Sequence, residues 1–185
     1  MKLRWSDIVA SALAGLALGA IVHIVIVLRI PAVARHDAFS QLALAGADGV
    51  ASPVPEDFGA PGAMGADPLT PRSACAWNLD DGPARITMPA SGLPQTLSIH
   101  DRSGRVIYAL TDRAAVNGYV ALTVMTPAQK EERELFQPED SDEDIIEVVS
   151  PTPRGLAVAR AIPASPAWRE RAVEATLAVT CQPEE

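Results

Sequence analysis

The side chains best suited to chemistry in this chain fall into three groups. Two polar pairs, His100-Asp101 and Asp112-Arg113, stand beside predicted strands. An imidazole near carboxylates and a guanidinium could hold a small ligand or move a proton. The same residues also have a purely structural reading, in which Asp101 caps the turn before Gly104 and Asp112 pairs with Arg113. Cys75 and Cys181 are the only two cysteines. An even pair in an exported domain favours a disulfide, which would pin the last segment to the first strand, whereas a cytosolic placement favours two separate buried thiols. The third group is acidic: residues 131–147 hold Glu131, Glu132, Glu134, Glu139, Asp140, Asp142, Glu143, Asp144 and Glu147 against Arg133 alone. Clustered oxygens suit calcium, but residues 140–144 lack the central glycine and distal glutamate of an EF-hand loop. A solvated acidic loop is expected.

Catalytic motifs are missing. The chain contains no H-E-x-x-H, G-x-S-x-G, S-x-x-K, C-x-x-C, Walker A or G-x-G-x-x-G. Beyond the N-terminal apolar segment the only histidines are His36 and His100, which excludes a His-rich zinc or iron site built by one copy. No catalytic residue, metal or cofactor is therefore expected. His100, Asp101, Asp112 and Arg113 are kept as the candidate ligand cluster of an alternative reading, a small-ligand binder or enzyme.

The elements that must position these residues begin with the chain's length, 185 residues and 19.5 kDa, enough for one core. A formal charge of -8 and a pI near 4.9 argue against nucleic acid, whose affinity rests on Lys and Arg neutralising phosphates. Nine carboxylates less one arginine give residues 131–147 that entire charge. The mean hydropathy of +0.13 is equally local. Residues 8–28 carry no formal charge, and 17 of these 21 are hydrophobic. As a helix they would cross a hydrocarbon layer of about 30 Å. A cleaved signal peptide is the competing reading, because Ala32-Val33-Ala34 resembles a processing site, but the apolar run is longer than such a peptide needs. Retention as a bilayer anchor is expected.

Lys2 and Arg4 precede this segment and Arg29 and Arg35 follow it, so charge alone nearly ties the orientation. The short residue 1–7 tail and the two cysteines on the far side favour an N-terminus inside and a periplasmic C-terminal domain at the inner membrane. Within the segment Ser11, Gly15, Gly19 and His23 recur every four residues, a stripe of small residues that would let another helix approach closely. His23 is the sole ionisable group there, which marks a functional candidate or a neutral imidazole hydrogen-bonded near the outer third of the bilayer.

Residues 29–48 read as a juxtamembrane segment with a short amphipathic helix at 36–44, and 49–72, rich in Gly and Pro, as a linker. Residues 73–185 read as a β-rich domain. Strands are predicted at 74–79, 85–89, 96–100, 106–110, 119–125, 145–149 and 156–162, separated by turn residues that include Asp80-Asp81-Gly82, Ser103-Gly104 and Asn117-Gly118. Seven short strands at this spacing predict an antiparallel sandwich or barrel. Thr126-Pro127-Ala128-Gln129 forms a capping box opening a helix to about Phe136. Ser165-Pro166 opens a second, with Trp168, Ala172, Ala175 and Val179 at helical spacing toward the sheet.

Several runs resemble a known family. Ala76-Trp77-Asn78-Leu79-Asp80-Asp81-Gly82-Pro83, Ile86 and Pro89, residues 97–104 from Leu97 through His100-Asp101-Arg102-Ser103-Gly104, and Thr111-Asp112-Arg113-Ala114-Ala115 are similar to the domain-of-unknown-function family 1254 over roughly residues 70–181. The anchor resembles that family's short membrane-bound alphaproteobacterial branch. His100 and Thr111 stand where Tyr and Asn are more usual, and Gln95-Thr96 where an aromatic is. The resemblance implies a β-rich domain and, as partner, a family 1214 domain that is absent here. It implies no catalytic residues. The reading that follows is a single-pass inner-membrane protein with a non-catalytic periplasmic domain in an envelope assembly, partnered by a family 1214 protein or by a second copy of itself.

Overall fold

The computed structural model describes residues 5–45, 49–54, 69–136 and 145–184. A long helix, α1 (Trp5–Ala45), precedes nine strands: β1 (Ser52–Pro53), β2 (Arg72–Asn78), β3 (Ala84–Pro89), β4 (Gln95–Asp101), β5 (Val106–Thr111), β6 (Tyr119–Met125), β7 (Ile146–Val149), β8 (Arg154–Ala161) and β9 (Thr180–Pro183). Two short helices interrupt them, α2 (Pro127–Phe136) and α3 (Arg169–Leu177). The strands form a five-stranded sheet ordered β1-β2-β8-β4-β5 and a four-stranded sheet ordered β7-β6-β3-β9. All pairings are antiparallel except β6 with β7, which run parallel because α2 carries the chain back over the sheet.

Alternation drives the sandwich. Along β4 every second residue is buried, which sends Leu97 and Ile99 inward with Gln95 and Asp101 at the two ends. Cys75 and Trp77 of β2 and Ala157 and Ala159 of β8 join them, and the facing layer supplies Ile86, Met88, Val120, Leu122 and Val124. The strand in the middle of the larger sheet, β8, offers alanines, so bulk from Trp77 and Leu97 on its flanks fills the layer without overpacking. A disulfide joins Cys75 of β2 to Cys181 of β9, across the two sheets, with Cα atoms 6.1 Å apart. At Gly155 of β8 there is no room for a side chain: a Cβ would overlap the His100 carbonyl oxygen and the Trp77 ring. The Trp77 ring thus packs against the backbone of its neighbour strand at Gly155.

The two helix signals are realised. Gln129 donates its backbone N–H to the Thr126 hydroxyl at 3.2 Å and accepts the Thr126 N–H on its own side chain at 2.8 Å, a complete capping box. Gln129 also donates to the Leu79 carbonyl at 2.9 Å, fastening α2 to the end of β2. The other helix, α3, closes one end of the sandwich: Ala172 and Ala175 are buried there with Leu93 and Ala161. It is held by Ser73 Oγ donating to Thr176 O at 2.5 Å and Gln95 Nε2 donating to Ala175 O at 3.3 Å.

Four boundaries differ from the sequence reading. The predicted amphipathic helix at 36–44 is no separate element, because α1 runs unbroken through Pro31, which costs one N–H donor and does not end the helix. The predicted linker starts later than residue 49: Val50 bridges Thr180, Ser52 and Pro53 pair with Ala74 and Ser73, and Ala51 is buried. Residues 55–68 of that linker lie outside the described residues. Val179, placed by its spacing on the second helix, lies beyond the end of α3 at Leu177, and the residues after it form β9, an edge strand on β3 that the sequence reading does not include. Trp168 does not face the sheet; it precedes α3 in a 3-10 turn, 40% exposed, with the Arg171 guanidinium 4.5 Å from its ring centroid.

Two substitutions test this architecture by thermal or denaturant unfolding of the full chain. Replacing Cys181 with Ser opens a loop of 106 residues and should cost about 4 kcal/mol in the chain-entropy account. Gly155→Ala should cost about 1–3 kcal/mol or more by overpacking against Trp77, and pairing it with Trp77→Leu should recover part of that loss.

Candidate functional site

The hairpin of β4 and β5 carries all four residues of the candidate ligand cluster, and its register separates them. His100 and Asp101 close β4 at one end, opposite Val106, while Thr111 pairs with Thr96 at the other. Asp112 and Arg113 follow Thr111 in a 3-10 turn. The length of β4, seven residues from Gln95 to Asp101, separates them, on the order of 20 Å. The structure therefore holds His100-Asp101 and Asp112-Arg113 apart, and among the described residues no ion pair joins Asp112 to Arg113, against the pairing expected from sequence.

Each pair is occupied by its own hairpin. Asp101, 2% exposed, accepts the Ser103 N–H at 2.8 Å, the Ser103 hydroxyl at 2.6 Å and the Arg105 N–H at 3.0 Å on one oxygen. Its other oxygen takes the Arg105 guanidinium at 3.0–3.1 Å. The turn needs Gly104, whose φ is +79°. Burial pushes the Asp101 carboxyl up, and the Ser103 hydroxyl, the Arg105 and Ser103 amides and the Arg105 guanidinium together outweigh it, so its pKa lies below the usual 3.8. The His100 ring sits on the outer face with Nδ1 3.2 Å from the Gly104 carbonyl and Nε2 2.9 Å from the Ser98 hydroxyl. A carbonyl only accepts, so Nδ1 carries the proton in that contact and Nε2 faces the hydroxyl. Asp112 accepts the Gln95 N–H at 3.2 Å, fixing where β4 starts.

The remaining candidates are also placed. Cys75 and Cys181 are bonded. Ser11, Gly15, Gly19 and His23 lie at four-residue spacing on α1, exposed, with open space beside both glycines. The segment Ile8–Arg29 is long and apolar enough to cross a membrane and none of it is buried in the molecule. Of the acidic run, residues 137–144, including Glu139, Asp140, Asp142, Glu143 and Asp144, lie outside the described residues. Within the described part, Glu134 and Glu147 are tied to bases. Arg133 pairs with Glu184 and reaches Glu147 at 3.7 Å, and Lys130 reaches Glu147 at 3.5 Å and Glu134 at 3.8 Å. Among the described residues no group of three or more His, Cys, Asp or Glu is placed to hold a metal.

Sequence reasoning missed two features. Gln95, 1% exposed, is a polar hub: its Oε1 accepts both the N–H and hydroxyl of Ser91 while its amide reaches α3. Arg72 and Arg160 stand directly opposite each other on β2 and β8. Neither was legible without the strand register, because each depends on a partner 80 or more residues away.

No family model matches the chain, and no curated protein does. Solved structures do. The chain is similar in fold to the crystal structure of the VPA0106 protein from Vibrio parahaemolyticus, with TM-score 0.50 and 11% identity over 64% of this chain and 28% of that one. An uncharacterised Burkholderia cenocepacia protein aligns over 72% of this chain and 34% of its own, with TM-score 0.42 and 11% identity. The chain thus spans about a third or less of the length of these structural relatives. The likeness to the VPA0106 protein is one of fold, mainly β.

Replacing Asp101 with Ala removes the acceptor that the Ser103 and Arg105 donors share and should lower stability by about 1–3 kcal/mol, measured by denaturant unfolding. The loss has a signed pH dependence. The folded pKa is depressed, so the charged carboxylate stabilises the fold above the unfolded value near 3.8 and ceases to as pH falls through the folded value. The gap between wild type and variant should be constant above about pH 5 and shrink below about pH 4.

Proposed function

We propose that this chain is a single-pass inner-membrane protein that holds a non-catalytic β-rich domain in the periplasm, as one component of an envelope assembly with a family 1214 partner. The observation that carries the reading is the apolar segment Ile8–Arg29, which buries nothing inside the molecule. An apolar helix left uncovered by its own domain needs lipid or another helix to cover it. The disulfide between Cys75 and Cys181 supports an oxidising compartment for the domain.

A scaffolding role is supported by how the chemistry-bearing side chains are spent. The Asp101 carboxylate is filled by its own turn, both ring nitrogens of His100 have neighbours within the same hairpin, and Asp112 fixes a strand start. Such engagement suits a rigid surface better than a group that must change protonation during turnover.

Topology is read by fusing alkaline phosphatase after Glu185. An active fusion, with the chain retained in the membrane fraction at its full length, is the expected result. An inactive fusion, or a soluble product shortened beyond Ala34, overturns the anchored periplasmic reading.

A further inference from the structure

We infer that Arg72 and Arg160 form a binding site for a phosphate-type oxyanion on the outer face of β2 and β8. The two residues are register partners on adjacent antiparallel strands, so their side chains leave the same face of the sheet about 5 Å apart at Cβ. That face is the outer one: along β2 and β8 it continues through Ala74, Ala76, Val158 and Leu156, which cluster apart from the inter-sheet core. Like charges placed directly opposite each other are destabilising. Here the repulsion is uncompensated, because no ion pair links either arginine to a carboxylate among the described residues. Arg72 Nη2 is in addition enclosed with no hydrogen-bond acceptor, and a buried cationic donor left unmade is poorly tolerated.

One ligand chemistry resolves both features. A phosphate group carries close to two negative charges and three oxygens in a tetrahedron, which matches two guanidinium forks, each able to bind two oxygens side by side. Thr96 stands opposite Arg160 on β4, and Thr111 opposite Thr96 on β5, so the row from Arg72 continues into hydroxyl donors along the same register. Arg160 is exposed and Thr96 half-buried, which leaves the approach open from that side. A carboxylate would engage one fork and leave the second cation unmatched.

The phosphate has two possible sources. α1 lies beside β2 and β8, and since Ile8–Arg29 is unburied the approach comes from the helix beyond Arg29. Its remaining turns to Ala45 rise about 24 Å, so a spanning anchor holds this face within reach of a lipid headgroup. That source rests on the proposed anchor, whereas a soluble phosphate does not.

The test uses the full chain in maltoside micelles and phosphate-free buffer, comparing wild type with Arg160→Gln and Arg72→Gln by thermal melting. Inorganic phosphate is titrated in one arm, against chloride at equal ionic strength, and phosphatidic acid, whose headgroup is a phosphomonoester, is added to the micelles in the other. The wild-type midpoint should rise saturably by about 4 °C or more in at least one arm, and the rise should vanish in Arg160→Gln. Without ligand, Arg160→Gln should melt at or above the wild type, because it relieves the repulsion. A response to phosphate assigns a soluble ligand, and a response to lipid alone assigns a headgroup. No rise in either arm, or an undiminished rise in both variants, overturns the site. The fusion assay fails or succeeds independently of this result.

Discussion

Everything in the domain is arranged about the contact between two sheets that meet at Cys75 and Cys181. Neither sheet is stable alone, because each has one apolar face that water would have to cover. The disulfide sits within that contact, on β2 in one layer and β9 in the other, and adds a covalent tie to a short C-terminal strand that pairs with β3 over four residues and with Val50 at Thr180. Closing the loop between the layers restricts the unfolded chain far more than a local bridge would. Gly155 belongs to the same constraint. With Trp77 laid across it, the larger sheet stays thin enough at β8 for the facing layer to close down on alanines.

The polar side chains follow from that packing. A sandwich has ends where strands stop and backbone groups lose their ladder partners, and each such group must find an acceptor or donor. Asp101 supplies acceptors for the turn between β4 and β5, Asp112 receives the first N–H of β4, and Gln95 and Ser73 fasten α3 over the opposite opening. These are the residues a search for chemistry finds first, since burial with several partners looks the same whether it serves a reaction or a turn. What separates the two is spare capacity. The Asp101 oxygens are saturated, while the enclosed Nη2 of Arg72 has nothing to bind.

Much of the fold was legible in local sequence. The strand positions from 74 to 125 and from 145 to 162, the hairpin at Ser103-Gly104 and the helix opened by Thr126-Pro127 depend on alternation, turn residues and capping, all within a few residues of each other. The misreadings share a cause. β1 and β9 are short, with no alternation long enough to see, and they are strands only because β2 and β3 offer them open edges. Pro31 looks like a helix end, yet the turns around it supply enough bonds to continue. Trp168 has helical spacing to Ala172, but the 3-10 turn before α3 rotates it outward.

By itself the sequence determined the class of the molecule: an apolar helix, a mainly β domain, two cysteines available to each other, and no motif for known catalysis. These properties are sums over neighbouring residues, and neighbours are what a sequence displays. Only the tertiary structure decided which residues meet. It put His100 and Asp112 at opposite ends of one hairpin, set Cys75 against Cys181 across the layers, and brought Arg72 beside Arg160. Strand order and register settle these meetings. They are fixed by which apolar faces must be buried together, a condition on the whole chain that no short stretch carries.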